Sequence, residues 1–175
     1  MGAKTIVFAC PSCYHTWNER YKIDIELLHS TQFLERLMNE GKIVFKKAYP
    51  KTVTYHDPCD LGRNSGIYEA PRVILRQVPG LKLIDPEGNR QLSVCCGGGG
   101  DLEIIDPELS AAIAKRKVDE IQRTGAEEVV TSCQQCIRTI SGYARRHRFD
   151  GYALAKRLSG QSETLANVWR QMETV

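Results

Sequence analysis

The chain has 175 residues, 42% hydrophobic and 26% charged, with a net charge of +3 from 24 basic and 21 acidic side chains. That length supports one domain with a core. A balance this even, spread along the chain, excludes a nucleic-acid footprint. No apolar run approaches the roughly 18 residues of a membrane span.

The coarse elements alternate. TIVFA (Thr5 to Ala9) predicts a buried strand. Ile25 to Asn39 predicts a helix, with Leu27, Phe33, Leu34, Leu37 and Met38 apolar. TVTY (Thr52 to Tyr55) is a second strand, Tyr68 to Val78 a second helix, and LKLI (Leu81 to Ile84) a third strand. A third helix has Asp106 as N-cap, Pro107 at its first position and Gly125 as its stop. EEVVTS (Glu127 to Ser132) is the fourth strand. This order predicts an α/β fold with a parallel sheet of about four strands covered by helices.

Seven cysteines are many for such a chain. Without a leader-like N-terminus the expected setting is cytoplasmic, where cysteines serve metals or redox chemistry rather than structural disulfides. Their positions are ordered. Cys10 and Cys13 form CPSC, Cys59 lies in HDPCDLG, Cys95 and Cys96 are adjacent before Gly97, Gly98, Gly99 and Gly100, and Cys133 and Cys136 form CQQC. Three predicted strands run straight into cysteines. In open parallel sheets ligands bind at the carboxyl ends of strands. The thiols of Cys59, Cys95, Cys96, Cys133 and Cys136 are therefore expected to converge there, within about 8 Å.

The spacing is C-x(35)-C-C-x(36)-C-x-x-C. A structural zinc takes four ligands, and a cubane cluster also takes four thiolates. Five thiolates exceed both. Adjacent cysteines reach two metal atoms more readily than one, which favours a polynuclear iron–sulfur centre. The glycines behind them allow close backbone approach and N–H donation to sulfur. Zinc leaves one thiol unexplained. A thioredoxin-like dithiol at CPSC leaves Cys59, Cys95 and Cys96 unexplained.

An internal repeat adds to this. IVFACPSCY (Ile6 to Tyr14) matches VVTSCQQCI (Val129 to Ile137), and HSTQFLERL (His29 to Leu37) matches DGYALAKRL (Asp150 to Leu158). The first copy lacks the counterparts of Cys59, Cys95 and Cys96, which suggests a truncated duplication. The expected organisation is 1–50 as the strand–CxxC–helix tail of a preceding repeat, 51–160 as a complete cysteine-rich domain, and 161–175 as a C-terminal helix.

YHDPCDLGRNSGIYEAPR (Tyr55 to Arg72), RQLSVCCGGGG (Arg90 to Gly100) and VVTSCQQC (Val129 to Cys136) resemble the three motifs of the CCG cysteine-rich domain, found in the B-type and D-type subunits of heterodisulfide reductases and in related iron–sulfur oxidoreductases. The resemblance covers Lys51 to Gly142 as one domain and Ile6 to Lys47 as the tail of another. It implies a Rossmann-like domain with a noncubane [4Fe–4S] centre on Cys59, Cys95, Cys96, Cys133 and Cys136. It further implies two facing centres that split a disulfide; some family members are associated with zinc instead. Cys10 and Cys13 match two of the five ligands of a second site. One complete motif, with no ferredoxin-type cysteine run, implies an electron-transfer module. It would receive electrons from another redox subunit, which also supplies the missing first half. A disulfide, quinone or flavin partner would accept them. The module would span no membrane and would reach one only through partners. The alternative is a zinc-binding interaction domain without redox activity.

Other residues carry smaller expectations. His56 and Asp57 are candidate proton donors beside Cys59, or turn caps. Arg63 is a candidate for a substrate carboxylate or phosphate, or for a surface ion pair. His15 and Trp17 are read as packing or surface residues. The glycine run is not followed by GK[ST], so it is not a nucleotide loop. The apolar face of the first helix, with Phe33, Leu34 and Leu37, is expected to stand exposed without the missing half and to drive association.

Overall fold

In the computed structural model, which describes residues 2–146 and 172–174, strands β1 (Thr5–Phe8) and β2 (Glu26–His29) pair in parallel across helix α1 (Pro11–Arg20). Helix α2 (Ser30–Asn39) follows β2 directly, and β3 (Ile43–Phe45) pairs antiparallel with β7 (Met172–Thr174). The second unit is a three-stranded parallel sheet ordered β5-β4-β6, from β4 (Thr52–Tyr55), β5 (Lys82–Ile84) and β6 (Glu128–Val130). Val53 stands opposite Leu83 on one side and Glu128 on the other. Helices α3 (Glu69–Gln77), α4 (Leu102–Ile105), α5 (Pro107–Arg123) and α6 (Gln134–Arg146) complete it. This is α/β architecture of Rossmann-like type.

The local reasons are legible. Val53 and Tyr55 are buried in the central strand, and the whole of β6 is buried, as strands covered on both faces require. Asp106 accepts from the Leu109 N–H at 3.0 Å, Pro107 opens α5, and Gly125 follows it at φ +66°. The expected helix from Ile25 to Asn39 divides. Glu26 to His29 pair with β1, and His29 then caps α2. Its Nδ1 accepts from the Thr31 N–H, and the Gln32 side chain accepts from the His29 N–H at 3.0 Å.

The expected single sheet of about four strands is two parallel sheets, because β1 pairs with β2 and not with β4. The predicted apolar face of α2 is covered within the chain. Leu34 is buried with Ile43, Phe45, Ile74 and Val78, and Leu37 and Met38 pack against them. This cluster joins the first unit to α3. A second cluster, with Val118, Ile121, Val129, Ile140 and Tyr143, fills the space between α5, α6 and β6 and includes Cys96 and Cys136. The repeat copy at Asp150 to Leu158 lies outside the described residues. So does the expected C-terminal helix of 161–175, except that Met172–Thr174 form a strand.

Candidate metal centre

β4 comes first in sequence within its sheet but lies in the middle, so the chain leaves it first toward β5 and later toward β6. The crevice at the carboxyl ends of β4 and β6 is therefore a topological switch point. Cys59 lies four residues beyond β4 and Cys133 three beyond β6. The loop before α4 brings Cys95 and Cys96 to the same place.

The five thiols form one chain of contacts. Cys59 meets Cys95, Cys95 meets Cys96, Cys96 meets Cys136, and Cys136 meets Cys133. The Cys96 and Cys136 sulfurs are 3.4 Å apart. Cys96 and Cys136 are buried and the other three half-buried, and none is in a disulfide. Such a row cannot ionise uniformly. Hydrogen bonds from the Cys59 and Cys96 thiols hold Cys95 down to about 2, and the Cys136 thiol holds Cys133 down to about 6. The donors move the other way. Cys59 and Cys136 are pushed well up, by their neighbouring thiols first and by burial next. The Cys136 contact lowers Cys96, but the Cys95 thiol and burial still take it up to about 11. All five become thiolates together only if a cation neutralises them.

Backbone N–H groups are already aimed at these sulfurs. Gly97 donates to Cys95 Sγ at 3.3 Å, and Gly98 reaches Cys96. Gln135 and Cys136, in the first turn of α6, serve Cys133. Two of the four glycines have a second reason. A β-carbon on Gly97, at φ +89°, falls 2.7 Å from the Ser110 carbonyl oxygen, and one on Gly98 overlaps Thr139 Oγ1. These two residues let the loop lie against α5 and α6. Gly99 and Gly100 face open space.

The surroundings of the remaining candidates are specific. Asp57 is gripped by Arg72 through both oxygens, at 2.7 and 2.8 Å, and accepts the Arg90 N–H at 2.8 Å. His56 is 2% exposed, and burial, with the Lys117 charge, pushes it down to about 3. Its ring is thus neutral, and one ring nitrogen lies within 4.8 Å of both Cys96 and Cys136 Sγ. Arg63 donates to the Ser93 carbonyl at 2.6 Å, tying the Cys59 turn to the Cys95 loop. His15 faces Glu19 at 3.4 Å, and Trp17 packs on Phe8 and Tyr21.

Cys10 and Cys13 meet each other at the start of α1, which raises Cys13. Their turn leans on the five-thiol site. Ser12 donates to Asp60 at 2.5 Å, and Gln134 donates to the Ala9 carbonyl at 3.1 Å. Sequence reasoning missed Arg72 and Lys117. Nothing local marks a buried arginine whose partner is 15 residues away.

Residues 53–141, just over half of the chain, match the model of the CCG cysteine-rich domain. The chain belongs to the CCG cysteine-rich domain family. This CCG chain is 36% identical, over 80% of its length, to a subunit of the dihydromethanophenazine:CoB–CoM heterodisulfide reductase of Methanosarcina barkeri, matching 36% of that protein. It is 33% identical over 77% of its length to a subunit of the fumarate reductase (CoM/CoB) of Methanothermobacter marburgensis, matching 27% of it. A probable iron–sulfur-binding oxidoreductase of Bacillus subtilis is 30% identical over 77% of the chain, which matches 19% of that relative. The CCG chain thus spans about a third or less of these relatives. No helix among its described residues is long and apolar enough to cross a membrane.

Proposed function

We propose that this chain is an iron–sulfur electron-transfer module of a heterodisulfide-reductase-like oxidoreductase. Cys59, Cys95, Cys96, Cys133 and Cys136 would hold a noncubane [4Fe–4S] centre. The observation that carries the reading is the unbroken row of five thiol contacts at the switch point. Relatives named as iron–sulfur and heterodisulfide-reducing proteins support it. When bound, the centre supplies one-electron chemistry. The protein supplies thiolates at two depths, N–H donors at Gly97, Gly98 and the start of α6, and a water-poor wall from Val118, Val129 and Ile140. Zinc uses four of these thiols and leaves the fifth without a role.

The electrons would come from another redox subunit and pass to a disulfide, quinone or flavin. Cys10 and Cys13 would supply two ligands of a second centre, completed from outside the described residues, with the Ser12–Asp60 and Ala9–Gln134 contacts setting it beside the first. Exposed Val7, Trp17, Tyr21 and Ile23 on this unit suit a covering partner.

Anaerobic reconstitution, with iron, sulfide and zinc measured per chain, tests the centre. About four irons with sulfide and broad visible absorption are expected. One zinc and no sulfide sinks the reading. Reduced viologen should load the isolated chain, and disulfide cleavage should need the partner. Full turnover by the isolated chain overturns the two-centre reading.

A further inference from the structure

His56 lies in the turn between β4 and Cys59 and is almost fully buried. A neutral imidazole carries one N–H donor and one lone pair, whichever tautomer is present. Here neither ring nitrogen has a hydrogen-bond partner among the described residues. Buried polar groups in folded proteins are nearly always paired, so a bare ring points to something that the protein alone does not provide. The ring is aimed at the place where Cys96 and Cys136 meet, with one nitrogen within 4.8 Å of both sulfurs.

We propose that His56 donates a ring N–H to a sulfur of the metal centre on its Cys96–Cys136 side, and that this bond raises the centre's reduction potential. The inference rests on the iron–sulfur reading above. Backbone N–H groups reach Cys95 from Gly97, Cys96 from Gly98 and Cys133 from α6. His56 adds a side-chain donor from the segment after β4. Five thiolates already exceed the ligand count of a zinc or a cubane, so the ring is not needed as a ligand. An N–H aimed at sulfur favours the more negative, reduced form, and hydrogen bonds to the sulfurs are among the determinants of potential. His56 is thus a positioning and tuning residue that acts through the centre's sulfurs.

The test uses the reconstituted chain and its His56→Phe and His56→Gln variants. Phe fills the space without a donor, and Gln keeps an N–H. Iron and sulfide, midpoint potential, and nitrogen couplings of the reduced centre with ¹⁵N-labelled histidine are measured. Wild type should show a weak coupling from labelled histidine, of hydrogen-bond size. His56→Phe should keep its iron and lose that coupling. Its reduced-to-oxidised ratio at a fixed ambient potential should fall about tenfold, which is 59 mV for a one-electron couple. His56→Gln should fall less. A strong coupling with iron lost from His56→Phe would make the residue a ligand and overturn the proposal. No histidine coupling in wild type, or an unchanged potential in His56→Phe, also overturns it. If His56→Phe does not fold, the wild-type coupling decides. Wild-type protein without iron and sulfide defeats the proposed function and this inference with it, whereas iron-loaded protein without the coupling defeats this inference alone.

Discussion

Arg72 lays its guanidinium across both carboxylate oxygens of Asp57, with the arginine fully buried in α3 and the aspartate two residues before Cys59. The same arginine reaches Asp85 at 2.9 Å and the Tyr68 carbonyl at 2.8 Å, and lies 5.0 Å over the Tyr55 ring. One side chain thereby binds β4's exit turn, α3 and the segment after β5. The Arg90 N–H adds the loop that leads to Cys95, from a residue held at φ +53°.

Asp57→Asn should therefore be costly although it barely changes shape. It leaves the buried Arg72 charge with Asp85 alone, and since removing one partner of a buried pair costs about 3–5 kcal/mol, a loss near the lower end of that range is expected. Arg72→Lys should also fail, because an ammonium cannot repeat the two-pronged contact. Urea unfolding of the reduced, metal-free protein measures both. A loss below about 1 kcal/mol would mean that the clamp is incidental.

The glycines make a graded prediction. Gly98→Ala drives a methyl into Thr139, and Gly97→Ala meets the Ser110 backbone at a positive φ. Each should cost about 1–3 kcal/mol and loosen the loop that carries Cys95 and Cys96. Gly99→Ala meets nothing within 4 Å and should stay within about 0.5 kcal/mol of wild type. Equal behaviour of all three in thermal unfolding would refute the close-approach explanation.

Among the cysteines, serine substitution should sort two groups. Cys96→Ser or Cys136→Ser removes a buried member of the contact row and should abolish or deplete iron after reconstitution. The Cys10→Ser, Cys13→Ser double variant should keep the iron of the five-thiol site, since those two thiols pair with each other. Iron lost from the double variant would place them in that site instead.

A pH dependence follows from His29, which is buried at the start of α2 and pushed down from 6.5 to about 4 by burial. The unfolded chain takes up this proton first as the pH falls. Its contribution to stability is thus complete above about pH 6.5 and is lost as the pH drops through about 4, by about 3 kcal/mol. His29→Asn keeps an N-cap acceptor and removes the titration. Its stability, followed by denaturant unfolding from pH 7 to 4, should fall less steeply than that of wild type. Parallel curves would contradict this origin.

Much of the second unit is legible in the chain itself. Thr52–Tyr55 is the strand that its β-branched run predicts, and Asp106, Pro107 and Gly125 bound α5 as their chemistry requires. The spacing of five cysteines, with strands running into two of their motifs, points to the right edge of the sheet. Those features are local, because propensity, capping and side-chain spacing act within a few residues.

Tertiary structure decided the rest. Leu27 and Leu28 suit a helix or a strand equally, and only β1 lying alongside makes them β2. Leu34 reads as an exposed apolar face until Ile74 of α3 and Val78 just beyond it cover it. The reason for Gly98 is Thr139, 41 residues later, and the role of Asp57 is set by Arg72. His56 shows no local sign of lacking partners. Whether a polar group is satisfied depends on every atom that packing brings within about 3 Å, and most of those atoms come from distant parts of the chain.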